Sequence, residues 1–402
     1  MTTRPDVKVD RRSMALLSLA HVADDTNQSF LPAMLPLLIV TYHFSLQTAG
    51  MLVLGQAISS SVIQPAIGHL ADRRSMPWLI AAGLLLAGGG VALVGFTSSF
   101  PVMFAAALVS GIGVAMFHPE AARFSNFVAG TRKATGMRWF SLGGNIGFAT
   151  GPAYATLAIA AFAQRGTWLA FLPCLIMATL VFIDLPRLKT FQPVRRPLTG
   201  HGSAPDRWGA FGVLTGYVML RATVYVGVIA FIPLFFINTL HASHAAGNFG
   251  MMLYLIFGAL GTLAGGPLAD RFGRRIVMVL STAGTAVLLA SFAFFTHSTI
   301  VGYLLISVAG FVLVASNVAL VVLGQEYLPN RLGIASGVTL GIAVSVGGMM
   351  SPVLGAVGDR YGLGATFYVA AVFSGLAAIF GLWLPERQPR ADSEIIGMLP
   401  TV

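Results

Sequence analysis

Charged residues are scarce in this chain. Only 9% of its 402 residues are Asp, Glu, Lys or Arg, whereas 56% are hydrophobic. Soluble domains carry about a quarter charged residues, so this composition excludes a water-soluble protein. Cysteine is nearly absent as well, and the single Cys174 excludes a disulfide within the chain. The sequence also lacks a GxxxxGK[ST] phosphate-binding loop, which argues against direct coupling to ATP.

The chain consists mostly of long apolar runs. Each run is about 20 residues long, the length of a helix that crosses a bilayer, and we predict twelve of them. The first run is too long for a signal-peptide core and is interpreted as a retained helix. The predicted spans lie near 13–40, 47–71, 77–96, 100–122, 135–160, 167–186, 208–237, 247–269, 276–296, 299–326, 334–357 and 364–384.

The basic residues lie almost entirely on one side of these spans. With the N-terminus placed in the cytoplasm, 21 of the 24 Lys and Arg fall on the cytoplasmic side. The three exceptions are Arg165 and Arg360 on the other side and Arg221 inside a span. This positive-inside bias predicts a multi-pass protein of the inner membrane with both termini in the cytoplasm. The formal charge of +10 therefore reflects topology and not nucleic-acid binding.

The two halves of the chain repeat each other. The segment 68–73 ends the second span with GHLADR, and 266–271 ends the eighth with GPLADR at an offset of 198. A fixed offset of half the chain indicates duplicated units with a substrate site between them near the bilayer midplane. We predict an all-α membrane protein of twelve transmembrane helices in two pseudosymmetric six-helix bundles. Its parts are a tail (1–12), the N-terminal bundle (13–187), a linker (188–207), the C-terminal bundle (208–385) and a second tail (386–402).

The loop after the eighth span resembles the loop signature of the major facilitator superfamily, which residues 266–275 match in full. The first copy departs after Arg73, where residues 75–77 read Ser-Met-Pro. The resemblance implies that charged residues of both loops form gating contacts on the cytoplasmic side that favour one facing state. These residues are Asp72, Arg73, Asp270, Arg271 and Arg274.

Further stretches resemble the fosmidomycin resistance protein family within that superfamily. They are spread along nearly the whole chain, at 21–28, 64–78, 117–123, 143–152 and 326–337. The resemblance implies a secondary active transporter that exports small drugs or anionic and amphiphilic compounds by proton-coupled antiport. Fosmidomycin-like phosphonates are one candidate substrate class. It implies no cofactor other than the proton as coupling ion, and no partner beyond a small-molecule substrate and the lipid bilayer.

Two alternatives stay open. The same residues would serve proton-coupled uptake of an organic anion or metabolite, since the sequence barely distinguishes export from import. A membrane enzyme or receptor is the third hypothesis, although no nucleophile–base pair and no soluble sensor domain are evident. No obligate protein partner is evident either, and we do not predict an enzyme.

Ionisable residues in the first span predict a proton-coupling site. His21, Asp25 and Gln28 follow at i, i+4 and i+7 on one helix face, and Asp24 lies beside them. A charged group inside a span costs several kcal/mol by most measures, so it calls for a functional reason. The alternative is an aspartate satisfied by local hydrogen bonds, or one that caps a helix break before Pro32 and Pro36.

Arg221 predicts a substrate site in the seventh span, the repeat mate of the first. Tyr217, Arg221 and Tyr225 recur every four residues, and a guanidinium between two phenols suits a phosphonate or carboxylate. The alternative role for Arg221 is a structural ion pair with Asp24 or Asp25. The two roles are compatible if substrate and proton compete for that pair.

The fourth and tenth spans carry a second set of charges. His118 and Glu120 could relay protons near neutral pH. Alternatively Glu120 pairs with Arg123, and a cytoplasmic network with Glu326 and Arg331 closes the gate.

Uncharged polar residues complete the candidate set. Gln28, Asn145 and Asn317 are predicted to line the substrate cavity, although hydrogen bonds between helices would explain them as well. His241 and His244 have no third ligand nearby in the sequence, so we predict no metal site.

Overall fold

The computed structural model describes residues 9–73, 75–130, 132–191, 205–295, 297–331, 334–335, 338–339 and 343–385, with the backbone alone at 71–73, 133–134 and 343–345. This part of the chain is helical and contains no strand. Its α-helices are α1 (Arg11–Tyr42), α2 (Leu46–Arg73), α3 (Trp78–Val94), α4 (Phe100–Val128), α5 (Lys133–Phe162), α6 (Trp168–Leu188), α7 (Trp208–Asn238), α8 (His244–Phe272), α9 (Arg274–Phe295), α10 (Thr299–Val314), α11 (Asn317–Tyr327), α12 (Ala343–Tyr361) and α13 (Leu363–Leu382).

Helices occupy all the predicted spans, although the start of the eleventh lies partly outside the described residues. By length and composition, eight helical segments among the described residues can cross a membrane, and α3 is a shorter apolar helix. Although α1 is 32 residues long, the polar residues between 21 and 28 lower its hydropathy, so it is not one of the eight. Position in the fold therefore identifies α1 as a span better than its hydropathy does.

The helices form two bundles with the same internal packing. In the first, α1 packs on α5 and α4 packs on α2 and α3, and in the second the equivalent α7 packs on α12 and α10 packs on α8 and α9. Each bundle also docks the start of its first helix on the end of its fourth span. Asp10 N–H donates to the Val128 carbonyl at 2.9 Å, and Arg207 N–H donates to the Tyr327 carbonyl at 2.7 Å. These matching contacts agree with the repeat predicted from the sequence.

Among the described residues, one buried apolar cluster joins the two bundles, and it lies on one side of the molecule. We call the side with the end of α6 and the start of α7 the linker side, and the other the opposite side. On the opposite side one buried cluster takes residues from both bundles, including Phe30 and Leu35 of α1 and Phe235 and Phe236 of α7. On the linker side each bundle has a cluster of its own. The structure is therefore closed on the opposite side and divided on the linker side.

The tenth span, predicted near 299–326, consists of two helices with a break between them. The α-helix stops at Val314 and resumes at Asn317. In an unbroken helix the Leu313 carbonyl would accept from the N–H of Asn317. Here it accepts from Ser316 Oγ at 2.9 Å and from Arg221 Nη2 at 3.0 Å, so side chains replace the backbone donor.

Candidate functional site

The polar residues of the first span form a buried cluster on α1. Asp24 is 0% exposed and Asp25 is 4% exposed. His21 Nε2 lies 3.2 Å from Asp25 Oδ2, one helical turn away, and Gln28 Nε2 donates to Asp25 Oδ1. The spacing predicted from the sequence thus places two side chains, His21 and Gln28, against the Asp25 carboxyl group.

His118 on α4 completes this cluster. Its Nε2 lies 3.4 Å from Asp25 Oδ1, and its Nδ1 lies 3.4 Å from Asp24 Oδ2. The two imidazole rings are 5.1 Å apart between centroids and are packed edge to face. The structure therefore brings together four of the five residues predicted for proton coupling, from two helices.

Each histidine uses Nδ1 to bind a main-chain carbonyl. His21 Nδ1 lies 2.8 Å from the Phe140 carbonyl of α5, and His118 Nδ1 lies 3.1 Å from the Val114 carbonyl of its own helix. A carbonyl only accepts hydrogen bonds, so Nδ1 carries the proton in both rings. Both Nε2 atoms then face the same carboxyl group of Asp25, and each contact is favourable only with a proton between nitrogen and oxygen.

Asp24 faces the interior of the first bundle. Neither of its carboxyl oxygens has a hydrogen-bond partner within the described structure. Next to it, Asn27 donates to Cys174 Sγ on α6 at 2.9 Å. The helix continues through Pro32 to Tyr42 without a break. This corrects the alternative that an aspartate caps a helix break, because no helix end lies near Asp24.

Arg221 lies about halfway along α7 and is 8% exposed. Its Nε donates to Ser316 Oγ at 2.9 Å, and its Nη2 donates to the Leu313 carbonyl. Among the described residues it forms no ion pair, so the predicted alternative of a pair with Asp24 or Asp25 is not observed. The guanidinium group instead holds the break between α10 and α11.

A cavity of about 450 Å³ opens beside Arg221. It is lined by Tyr225, Asn317 and Thr339 among mainly apolar side chains, so two of the predicted substrate residues join Arg221 here. Tyr217 is a correction to the predicted set. It is fully buried and its hydroxyl donates to the Met278 carbonyl of α9 at 3.0 Å, so it does not line this cavity.

Glu120 lies towards the linker side of the first bundle and binds the loop between α2 and α3. Its Oε1 accepts from the Met76 N–H in the loop between α2 and α3 at 2.8 Å, and from Arg123 Nη2 at 2.8 Å. In the second bundle Glu326 pairs with Arg274 at the start of α9. This repeated arrangement favours the gate alternative for Glu120, because its carboxyl group is directed to the loop and away from Asp25.

The remaining predicted gate residues are separate from the cluster. Asp270 and Arg271 are exposed at the end of α8, and Arg331 lies 3.4 Å from Asp206. The side chains of Asp72 and Arg73 lie outside the described residues. Asn145 is exposed on α5, and its predicted place in the substrate cavity stays a prediction.

Sequence reasoning missed the groups that orient these side chains. The Phe140 carbonyl fixes the ring of His21, and Ser316 fixes the guanidinium of Arg221. A main-chain carbonyl leaves no signal in a sequence, and a serine inside an apolar span is common. The ligand atoms of His21, Asp25 and His118 also lie within 4.8 Å of one another, a spacing that suits a metal ion. The predicted absence of a metal stays a prediction.

Comparison with known proteins decides the family. The family model described as Major Facilitator Superfamily matches residues 17–339 and 213–397. The chain belongs to this superfamily. It is therefore a multi-pass membrane transporter and not an enzyme, and the predicted resemblance to this superfamily is confirmed.

Two curated relatives cover almost the whole transporter. The fosmidomycin resistance protein of Escherichia coli (strain K12) is 28% identical over 389 residues, which is 93% of both chains. The uncharacterized MFS-type transporter YfnC of Bacillus subtilis (strain 168) is also 28% identical, over 383 residues and 93% of both chains. The predicted resemblance to the fosmidomycin resistance protein is confirmed.

Solved structures share the fold of the transporter. A bacterial homologue of the human lysosomal transporter Spinster, in an inward-facing and unoccupied conformation, has a TM-score of 0.77 at 15% identity. It covers 93% of this chain and 96% of its own. A D-xylose–proton symporter has a TM-score of 0.73 at 19% identity, over 93% of this chain and 97% of its own. The predicted fold of two six-helix bundles is confirmed.

Proposed function

We propose that the protein is a proton-coupled antiporter that exports small anionic or amphiphilic compounds across the inner membrane by alternating access. The linker side, which carries most of the basic residues, is the cytoplasmic side. The structure then represents the inward-facing state, divided towards the cytoplasm and closed towards the periplasm. Phosphonates are the first candidate substrates, because the curated relative from Escherichia coli is named for fosmidomycin resistance.

The observation that carries the proposal is the convergence of both histidine Nε2 atoms on Asp25. Since each Nδ1 already donates to a carbonyl, the Nε2 contacts at 3.2 and 3.4 Å need a proton each. Without those protons, lone pairs would face a buried carboxylate in a site of low dielectric, which is unfavourable. Proton loss and uptake therefore change the stability of the contact between α1 and α4.

The substrate is proposed to bind in the cavity beside Arg221. Its guanidinium is a buried cation without an acidic partner among the described residues, which favours an anionic group on the ligand. The proton cluster belongs to the first bundle and Arg221 belongs to the second. A substrate held between the bundles would therefore contact both, and alternating access would expose both sites to the same side in turn.

Transport in proteoliposomes tests the proposal. Vesicles are loaded with fosmidomycin, the protein is oriented with its linker side inward, and the outer solution is acidified. Antiport predicts efflux of fosmidomycin, whereas symport predicts no net efflux under this gradient but uptake from outside. We expect Asp25→Asn to abolish the response to the pH gradient. Asp184→Asn is the matched control, because Asp184 is an equally buried carboxyl group that pairs with Arg12 outside the cluster.

Two results would contradict the proposal. Full pH-driven transport by Asp25→Asn would remove Asp25 from proton coupling. Loss of wild-type transport on addition of EDTA, with recovery on addition of Zn²⁺, would assign His21, Asp25 and His118 to a metal ion instead of protons.

A further inference from the structure

An acidic residue of the second bundle binds the start of a helix in the first. Asp359 lies near the end of α12 on the opposite side. Its Oδ1 accepts from the N–H of Leu46 at 2.8 Å, and its Oδ2 accepts from the N–H of Gln47 at 2.9 Å. These are the first two N–H groups of α2. One carboxyl group therefore connects the two bundles through the main chain.

Within the described part of the first bundle, no group accepts from the N–H groups of Leu46 and Gln47 in place of Asp359. The first four N–H groups of a helix lack partners within the helix. Ser45 Oγ accepts from Thr48 N–H at 3.0 Å, and the Ser45 carbonyl accepts from Ala49 N–H. The first turn of α2 has no acidic residue of its own. Asp359 thus supplies the negative charge that the N-terminus of a helix favours.

The backbones of α2 and α12 touch beside this contact. A β-carbon on Gly355 would lie 2.5 Å from the Leu46 carbonyl oxygen, and one on Gly50 would lie 2.7 Å from the Ser351 carbonyl oxygen. The carboxyl group can reach the start of α2 only because these helices approach so closely. Any movement that separates the two bundles on the opposite side therefore breaks both hydrogen bonds of Asp359.

We infer that Asp359 is a positioning residue of the transport cycle that holds the opposite side closed while the linker side is open. The inference rests on the proposed function in that it takes the opposite side as periplasmic. Asp359 is exposed to solvent, so its contact with α2 can break and reform without burial of a bare charge. In the outward-facing state its hydrogen bonds to Leu46 and Gln47 are absent.

Its neighbour Arg360 provides a matched control. Arg360 is also exposed at the end of α12, and its guanidinium lies over the ring of Tyr361 in the same bundle, with 5.6 Å between the guanidinium carbon and the ring centroid. Among the residues that the structure describes, it forms no hydrogen bond or ion pair with α2. Replacement of either residue by alanine removes one charge from the same surface, but only the change at Asp359 removes a contact between the bundles.

The test measures a distance between nitroxide labels on the opposite side. Val40→Cys at the end of α1 and Ile300→Cys at the start of α10 place exposed labels on different bundles. Cys174 is fully buried, and the parent protein checks that it stays unlabelled. Distances are recorded by double electron–electron resonance in nanodiscs, without substrate and at a single pH, so the result does not depend on proton coupling.

We expect Asp359→Ala to raise the ratio of the long to the short distance about threefold to tenfold, the effect of a lost helix-terminal charge and its hydrogen bonds. Asp359→Glu, which keeps the charge, should restore much of the short distance, and Arg360→Ala should leave it unchanged. If Asp359→Ala does not fold, Asp359→Asn carries the test with a smaller shift in the same direction. Equal distance distributions for Asp359 variants and Arg360→Ala would overturn the inference, whether or not Asp25 couples protons.

Discussion

Gly144 of α5 lies directly against Asp25 of α1. A β-carbon at Gly144 would be 2.5 Å from Asp25 Oδ2 and 2.7 Å from His21 Nε2. At Gly144 the backbone of α5 therefore packs directly against the cluster, with no room for a side chain. α5 also supplies the Phe140 carbonyl that orients His21. The same helix thus limits the space beside Asp25 and orients the ring of His21.

Gly144→Ala should impair proton coupling without removal of any polar group. The added methyl group overpacks the cluster, at a cost of about 1–3 kcal/mol, and separates His21 from Asp25. We expect pH-driven efflux to fall and its pH dependence to shift. Gly212→Ala on α7 is the control, because no atom lies within 4 Å of a β-carbon there. Unchanged pH dependence in Gly144→Ala would show that the His21–Asp25 distance is not critical.

Arg221 variants should separate a substrate role from a structural one. Arg221→Gln removes the cation, so an anionic ligand should lose about 1.5–3 kcal/mol of binding free energy, or roughly tenfold to a hundredfold in affinity. A neutral ligand of similar size should lose much less. The measurement is the dissociation constant of each ligand by isothermal titration in detergent.

Ser316→Ala is the control for that prediction. It removes the hydroxyl that accepts from Arg221 Nε but leaves the guanidinium in place. Equal losses for anionic and neutral ligands in Arg221→Gln, matched by Ser316→Ala, would assign Arg221 to the support of the break between α10 and α11 alone.

Glu120→Gln should loosen the loop between α2 and α3. The fully buried Glu120 carboxyl group accepts from Met76 N–H and from Arg123, and hydrogen bonds to a charged group contribute about 1.5–3 kcal/mol. We expect faster amide hydrogen exchange at Met76, measured by mass spectrometry. Glu326→Gln, which breaks the equivalent pair with Arg274, should leave that amide unchanged. The reverse pattern would contradict the assignment of Glu120 to this loop.

Asp10 should make stability depend on pH. Burial raises the pKa of Asp10, but the hydrogen bond from Ser13 N–H and the ion pair with Arg187 outweigh it, so the pKa lies below its ordinary value. A carboxyl group with a lowered pKa contributes stability above the pKa of the unfolded chain, about 3.9, and this contribution is lost as the pH falls. Thermal unfolding between pH 3 and 6 should show this loss.

Two Asp10 variants separate the contribution of the helix cap from that of the ion pair with Arg187. Asparagine is also a good N-cap, so Asp10→Asn should keep the bond from Ser13 and lose only the ion pair, at a cost below about 1 kcal/mol at pH 6. Asp10→Ala should cost about 1 kcal/mol more, because the cap is lost as well. Both variants should lose less stability than the wild type on acidification. An unchanged slope would show that other carboxyl groups dominate.

Local spacing explains what could be predicted of the site. Within one helix the separation of residues fixes which side chains meet, so the contact between His21 and Asp25 follows from a spacing of four. The bond from Gln28 to Asp25 follows in the same way. The approach of His118 to both aspartates does not, because it depends on how α4 packs against α1. Glu120, two residues further on, lies on a different face of α4, where it pairs with Arg123 at a spacing of three.

The sequence by itself determined the number of spans, the repeat of two bundles and the side that carries the basic residues. These follow from hydrophobic length and charge distribution, which need no knowledge of packing. Only the tertiary structure decided that Arg221 binds a broken helix and not an aspartate, that Tyr217 faces α9, and that Asp359 reaches across to α2. Contacts between helices depend on their relative rotation and depth, and side chains far apart in sequence meet only after those are set.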